Sequence, residues 1–184
     1  KLCMFLQSFG LHPKVLSMDD YFVEREENPK DEKGNPDYEC LEAIDLNLFD
    51  SQLGDLLSGK EVKIPTFNFS LGKKEYHNTM KLEKNDIIVI EGIHAIDPKI
   101  LTNIPRENKF KIYISALTEL NMDNQNRVST TDNRLLRRII RDNRTRGYDV
   151  EHTLKSWPSV RAGEEKYIFP FQDELDYTIN SALI

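Results

Sequence analysis

One short segment near the middle of the chain constrains its fold most strongly. Asp86 to Gly92 reads D-I-I-V-I-E-G, with consecutive β-branched residues between an acidic start and an acidic end. Such a run is typical of a strand buried on both faces, as in the parallel sheets of α/β proteins. Glu91 would then lie at the carboxyl end of that strand, where open α/β sheets bind their ligands.

Strand-like and helix-like segments alternate along the rest of the chain. Apolar alternation predicts further strands at 14–18, 62–69, 110–115 and 176–180, with Pro65 restricting the second to an edge or a bend. Helical spacing and caps predict helices at 1–9, about 41–57, 132–146 and 150–157, the last with Asp149 as N-cap and Pro158 beyond its end. Residues 24–36 are expected to form a loop. The alternation predicts one α/β domain over residues 1–184, with a mostly parallel sheet flanked by helices.

The composition excludes several classes of protein. No run approaches the roughly 20 apolar residues of a membrane span. Cys3 and Cys40 lack metal or redox spacing, which favours reduced thiols in a cytoplasmic protein. The net charge of −6 argues against general nucleic-acid binding.

One segment imitates a phosphate-binding loop. Residues 54–61 read GDLLSGKE, close to G-x-x-x-x-G-K-[ST]. Glu61 would repel phosphate and offers no hydroxyl to Mg²⁺, and the predicted order is helix, turn, strand instead of strand, loop, helix. We interpret the segment as a helix C-terminus followed by a turn.

Carboxylates follow two of the predicted strands. Asp19 and Asp20 come after the first strand, where a carboxylate can accept a proton from a substrate hydroxyl or hold Mg²⁺. The alternative is an Asx-turn or a cap. Glu91 ends its strand either as part of a magnesium site or in a salt bridge.

The predicted helix 132–146 is rich in arginine, in an acidic protein. Its arginines are Arg134, Arg137, Arg138, Arg141, Arg144 and Arg146. Four of them recur at i, i+3, i+4 and i+7 and so share one face. Three interpretations stay open: phosphate contacts, a nucleic-acid patch or a solvated face. Phe67 and Phe69, two residues apart on one strand face, either hold a flat base or pack into the core.

Four motifs in order resemble the uridine kinase/phosphoribulokinase family of P-loop small-molecule kinases. They are 16–22 (LSMDDYF), 65–69 (PTFNF), 90–94 (IEGIH) and 137–142 (RRIIRD) with Arg146 and Gly147. The resemblance is closer still to a prokaryote-type subgroup of uridine kinase-like proteins. It rests there on 111–118 (KIYISALT), 129–135 (STTDNRL) and 157–165 (WPSVRAGEE).

The resemblance implies roles for eight residues. Asp19 matches the general base, Asp37 the ribose-binding Asp, and Glu91 the acid at the magnesium site. The remaining matches are the base-contacting pair Phe67 and Phe69, the substrate-side Arg138, and Arg141 and Arg146 around the transferring phosphate and an Arg-rich lid. The implied reaction is ATP- and Mg²⁺-dependent phosphorylation of a hydroxyl on a uridine- or cytidine-like nucleoside or a related small molecule. A homo-oligomer is compatible with this assignment.

Some positions depart from the family pattern. Gly72, Tyr148 and Ser156 stand where uridine-cytidine kinases have a base-reading His, a substrate Arg and a Gln. The family's phosphate loop precedes the helix at 1–9, so the loop and its strand are expected upstream of Lys1, and a C-terminal helix is a further candidate for a missing element. The 184-residue chain is therefore expected to be inactive by itself. The alternative function is a non-catalytic module that keeps the kinase fold and senses a nucleotide or metabolite.

Overall fold

The computed structural model describes residues 2–32, 34–115 and 121–180. Two sequence predictions fall partly outside this range: the helix start at Lys1 and residues 116–118 of the KIYISALT stretch. No helix in the described part of the chain is both long and apolar enough to span a membrane.

Every predicted helix and strand is present, but within the described residues four strands follow the second α-helix with no α-helix between them. The helices are α1 (Leu2–Ser8), α2 (Leu46–Leu57), α3 (Thr130–Arg141) and α4 (Val150–Tyr167), with a π-helical turn at Asp142–Arg146. The strands are β1 (His12–Ser17), β2 (Val62–Asn68), β3 (Lys73–Met80), β4 (Asp86–Glu91), β5 (Ile112–Ser115) and β6 (Tyr177–Asn180). Short 3-10 helices lie at Met18–Tyr21, Arg25–Glu27, Leu41–Ala43, Arg106–Asn108 and Phe169–Glu174.

Two of the three strand pairings in the described residues are parallel. β1 pairs with β4 so that Ser17 stands opposite Glu91, and β5 pairs with β6. β2 and β3 form an antiparallel hairpin whose register shifts between Ile64 and Thr66. The shift surrounds Pro65, which cannot donate a ladder hydrogen bond, and it confirms the predicted bend. The α/β prediction is also confirmed.

The chain divides into two compact units, Lys1–Leu101 and Thr102–Ile184. The core of the first unit forms where α2 packs against β2 and the turn after β1. Its buried apolar side chains include Leu16, Met18, Tyr21, Phe49, Leu53, Leu56 and Ile64. Tyr21 and Phe49 meet edge to face with centroids 5.0 Å apart. Such a pair contributes about 0.5–1.5 kcal/mol beyond its buried area.

The prediction that β4 is buried on both faces is wrong in this structure. Ile87 is 37% exposed, and the other three β-branched residues are only half-buried. Among the described residues, β4 has one hydrogen-bonded neighbour, β1. A two-stranded sheet shields little of the β4 side-chain surface from solvent. Side-chain type identified the strand, but burial depends on what packs over it.

One other prediction needs correction, and one strand was not predicted. α4 does not end at Trp157 but continues to Tyr167, with Pro158 inside it. The second half of α4 buries Val160, Gly163 and Glu164, and these contacts outweigh the local cost of the proline. β3 was not predicted, because its mostly exposed, lysine-rich sequence is held as a strand only by pairing with β2.

Candidate functional site

Carboxylates of the first unit gather at the carboxyl end of the β1–β4 pair. The parallel register brings Ser17 opposite Glu91, and the Ser17 hydroxyl donates a hydrogen bond to Glu91 Oε1. The chain then turns at once into the 3-10 helix that holds Asp19 and Asp20. The strand pairing therefore brings these acids to one edge of the sheet.

The turn that holds the two aspartates is anchored in the core on both sides. Met18 and Tyr21 are fully buried, whereas Asp19 and Asp20 between them are half-buried. The Tyr21 hydroxyl donates to Gln52 Oε1 at 2.8 Å, and burial raises the pKa of Tyr21 well above its usual range. The aspartates are therefore carried on a rigid turn, as a positioned catalytic group requires.

Gly92 lets β4 approach this turn closely. Its φ of +153° is one that L side chains rarely adopt. A Cβ at Gly92 would lie 2.8 Å from Cβ of Met18, inside van der Waals contact. Glycine is therefore needed immediately after Glu91 for the end of β4 to pack against the residue that precedes Asp19.

Asp20 ties the turn after β1 to the β2–β3 hairpin. Asp20 Oδ1 accepts a hydrogen bond from the backbone N–H of Phe67 at 3.1 Å, which ties the turn to β2. Burial raises the pKa of Asp20 and the nearby Glu91 carboxylate adds to the rise, while the bond from Phe67 opposes it. Asp20 thus has a local structural role, and the assignment of Asp19 as the base stays a prediction from the family resemblance.

The raised pKa of Asp20 predicts a pH-dependent effect of Asp20→Asn. Because the folded-state pKa exceeds the unfolded one, the wild type loses stability as pH rises through the folded pKa. The amide lacks this titration but can still accept from Phe67. In thermal unfolding, Asp20→Asn should melt a few degrees higher than the wild type near neutral pH, and the difference should vanish below about pH 4. A difference that grows on acidification would contradict this.

Phe67 and Phe69 belong to a three-ring cluster with Phe22. Phe67 and Phe69 pack edge to face with centroids 5.2 Å apart, and Phe22 lies 5.7 Å and 6.2 Å from them. This packing leaves no parallel slot between the two rings, so a flat base would stack on the cluster instead of entering it. Because Phe67 is bonded to Asp20, the cluster lies beside the carboxylates.

Gly72 follows Phe69 closely in the sequence and contacts Arg25. The backbone N–H of Arg25 donates to the Gly72 carbonyl at 3.0 Å, and Arg25 Nη2 donates to the Phe69 carbonyl at 2.7 Å. With φ of +69°, a Cβ on Gly72 would lie 2.8 Å from the Arg25 side chain. A histidine cannot occupy position 72 in this conformation.

Asp37 lies on a loop that contacts the residues after Gly92. Asp37 Oδ1 accepts from the backbone N–H of Glu39 at 3.0 Å, which is an Asx-type turn. Burial lowers the pKa of His94. The nearby charges of Asp97, Glu42 and Asp37 partly oppose this effect. His94 therefore links the Asp37 loop to the end of β4.

A magnesium ion would fit the carboxylate edge only with help from a nucleotide. No group of three or more potential ligands occurs in the described ranges. Mg²⁺ is commonly bound by one or two carboxylates, several waters and substrate phosphates. Glu91 is exposed and near Asp20, which matches that partial ligand set. Because Glu91 is exposed, the energetic cost of burying a charge is not an argument for a metal at this residue. The argument for a metal is the position of Glu91 at the end of β4.

The predicted phosphate-binding arginines cluster in the second unit around one carboxylate. Asp142 is 2% exposed, and it forms ion pairs with Arg138, Arg141 and Arg146. A second buried acid, Glu164 of α4, pairs with Arg134 and Arg161. Two buried acids, Asp142 directly after α3 and Glu164 of α4, thus partly neutralise these arginines.

Sequence reasoning did not identify several residues that shape these sites. They are Ser17, Phe22, Arg25, His94, Asp142 and Glu164. All of these except Arg25 lie within motifs that the sequence analysis quoted, and the closeness of Ser17 to Asp19 and of His94 to Glu91 along the chain was a usable signal. The pairing of α4 with the arginines left no signal in the local sequence.

Comparisons with known proteins agree with the geometry. The model of the Phosphoribulokinase / Uridine kinase family matches residues 11–182. Uridine kinases from Staphylococcus aureus strains JH9 and Newman are 27% identical over 166 residues, which cover 90% of this chain and 72% of theirs.

Two solved structures share the fold. A possible uridine kinase from Bacillus stearothermophilus has a TM-score of 0.55 at 18% identity, covering 97% of this chain and 77% of that one. A kinase assigned to fructose transport from Silicibacter sp. TM1040 has a TM-score of 0.58 at 14% identity, covering 97% and 80%. Because one fold occurs under both names, these likenesses show the P-loop kinase-like architecture and leave the substrate open. With its family model matched over nearly its whole length, the chain belongs to the phosphoribulokinase/uridine kinase family.

Proposed function

We propose that the full-length protein transfers phosphate from ATP, with Mg²⁺, to a hydroxyl of a nucleoside or a related small molecule. The observation that supports this best is the parallel pairing of β1 with β4. It gathers Asp19, Asp20 and Glu91 at the carboxyl edge of the strands, where α/β proteins bind ligands.

Asp19 would accept the proton of the attacking hydroxyl. It extends from a turn whose flanking residues are buried, so its carboxylate is held in place for a substrate. Glu91 would hold the magnesium ion, directly or through water, together with the nucleotide. When bound, the ion supplies neutralisation of phosphate charge.

The substrate side would consist of the aromatic cluster and Asp37. An exposed edge of Phe69 offers a surface on which a flat base or a sugar face can stack. Asp37 Oδ1 is used by the turn to Glu39, so a ribose hydroxyl would bond to Oδ2. Gly72 has no side chain that could hydrogen-bond to a base. This favours a substrate that is not recognised in the way that uridine-cytidine kinases recognise uridine.

Arg138, Arg141 and Arg146 would contact the transferring phosphate or the substrate, as parts of an Arg-rich lid. A guanidinium makes paired hydrogen bonds with phosphate oxygens that a lysine cannot reproduce. The lid itself and the single kinase-like domain over residues 1–184 both remain predictions.

A panel of hydroxyl compounds with ATP and Mg²⁺, assayed with the full-length protein, tests the proposal. Nucleosides, pentoses and sugar alcohols should be included, and one class should give phosphorylated product. The 184-residue chain serves as a control that should show no turnover, because it has no G-x-x-x-x-G-K-[ST] motif. Nucleotide binding without any turnover by the full-length protein would favour the sensing module instead.

Glu91→Gln tests the magnesium assignment. The amide can still accept the Ser17 hydrogen bond, and Glu91 is exposed, so stability should change by less than about 0.5 kcal/mol. The variant should need more Mg²⁺ to reach half-maximal activity, because one anionic ligand is lost. Titrating activity against Mg²⁺ at fixed ATP measures this. An unchanged magnesium dependence would remove Glu91 from the site.

A further inference from the structure

We propose that Asp142 is a positioning residue: it holds Arg138, Arg141 and Arg146 in the arrangement that binds phosphate. The phosphate role of these arginines rests on the proposed function. The role of Asp142 rests on its own contacts within the second unit, and the experiment below separates the two.

The contacts converge on a single carboxylate. Arg138 Nε lies 3.3 Å from Asp142 Oδ2, while Arg146 Nη1 and Arg141 Nε lie 3.5 and 3.7 Å from Oδ1. Arg138 and Arg146 are four residues before and four after Asp142, and Arg141 is its neighbour. One carboxylate therefore contacts every arginine that the family motif assigns to phosphate or substrate.

Asp142 is placed there by the backbone. It begins the π-helical turn that ends at Arg146, and Gly147 follows in the left-handed conformation. The Asp142 carbonyl accepts from the backbone N–H groups of Gly147 and Tyr148. Single π-helical turns are rare and occur frequently at functional sites. Here the turn brings Arg146 back to the carboxylate that Arg138 approaches from the preceding turn.

The charges explain why a buried acid is needed. Three guanidinium groups drawn together repel one another, and an anion between them offsets that repulsion without cancelling it. One carboxylate among three arginines leaves the cluster cationic, so it still attracts phosphate. Asp142 is almost fully buried, and the Thr153 hydroxyl lies 3.5 Å from its Oδ2, so its own position is restrained.

Glu164 provides a matched comparison. It is as buried as Asp142, at 3% against 2%, and also contacts arginines, Arg134 and Arg161. The family resemblance assigns neither of these arginines a role toward phosphate or substrate. Both acids should therefore contribute to stability, but only Asp142 should affect phosphate handling.

The experiment compares Asp142→Asn with Glu164→Gln in the full-length protein. Asp142→Asn should lower kcat about 10²-fold, the size expected when catalytic groups move by about 1 Å, whereas Glu164→Gln should lower Tm with kcat unchanged. An equal loss of kcat in both variants, or no loss in Asp142→Asn, would overturn the proposal. Should Asp142→Asn fail to fold, Asp142→Glu, which keeps the charge but displaces it, gives the same comparison.

A second readout does not depend on turnover. The Nε–H signals of Arg138, Arg141 and Arg146 in ¹⁵N NMR, assigned with Arg→Lys variants, report their order, and tripolyphosphate serves as the probe. Wild type and Glu164→Gln should show ordered signals that shift when tripolyphosphate is added. Asp142→Asn should show averaged signals and should bind tripolyphosphate at least about tenfold more weakly. The loss should be partial, because the arginines keep their charges and lose only their arrangement. If the wild type phosphorylates none of the compounds, the proposed function fails. The tripolyphosphate comparison would still show whether Asp142 orders the three arginines. Identical spectra and affinities in all three proteins would refute the positioning role.

Discussion

Asp19→Asn in the full-length protein is expected to lower kcat by about 10²- to 10⁴-fold while ATP affinity changes little. The substitution keeps the shape of the side chain and removes the proton acceptor. Since Met18 and Tyr21 anchor the turn from within the core, the backbone around residue 19 should not move. Steady-state kinetics with saturating ATP, together with an ATP-binding isotherm, measure both quantities.

Asp20→Asn is the matched control for this prediction. Its side chain bonds to the backbone N–H of Phe67, and an amide oxygen can replace that acceptor. Asp20→Asn should therefore cost much less activity than Asp19→Asn. If Asp20→Asn abolishes turnover and Asp19→Asn does not, the catalytic base has been assigned to the wrong carboxylate.

Arg141→Ala is expected to lower turnover by about 10²-fold or more, if Arg141 neutralises charge in the transition state. Its side chain is 54% exposed, more than those of Arg138 and Arg146, and so it is well placed to meet a ligand. When Arg141 is removed, the buried Asp142 stays paired with Arg138 and Arg146, so its charge remains compensated. The variant should consequently remain folded, and circular dichroism with thermal unfolding would establish this.

Arg137→Ala is the control for Arg141→Ala. Arg137 is an exposed residue of the same helix, and the family motif assigns it no phosphate role. It should keep wild-type turnover. Tight, salt-sensitive RNA binding that both substitutions weaken, with kinase activity unaffected, would instead support the nucleic-acid interpretation of the arginine helix.

The regular elements were predictable because local chemistry determines them. β-branched residues identified β4, and Gly10, Gly59 and Gly147 ended helical segments near where they were expected to end. β3 and the second half of α4 were not predictable in this way. Their local sequences argue against strand and helix, and only pairing with β2 and burial of Val160 and Glu164 stabilise them.

The sequence by itself determined the family, the α/β class and the order of the site motifs, since each depends on residue type and spacing along the chain. Only the tertiary structure showed that Glu164 of the neighbouring helix α4 pairs with Arg134, and that a π-helical turn brings Arg146 to the carboxylate that Arg138 also contacts. It also showed that a hydrogen bond from Phe67 to Asp20, across 47 positions of sequence, ties the turn after β1 to β2. Contacts between residues far apart in sequence leave no periodic signal, so residue type and spacing could not predict these.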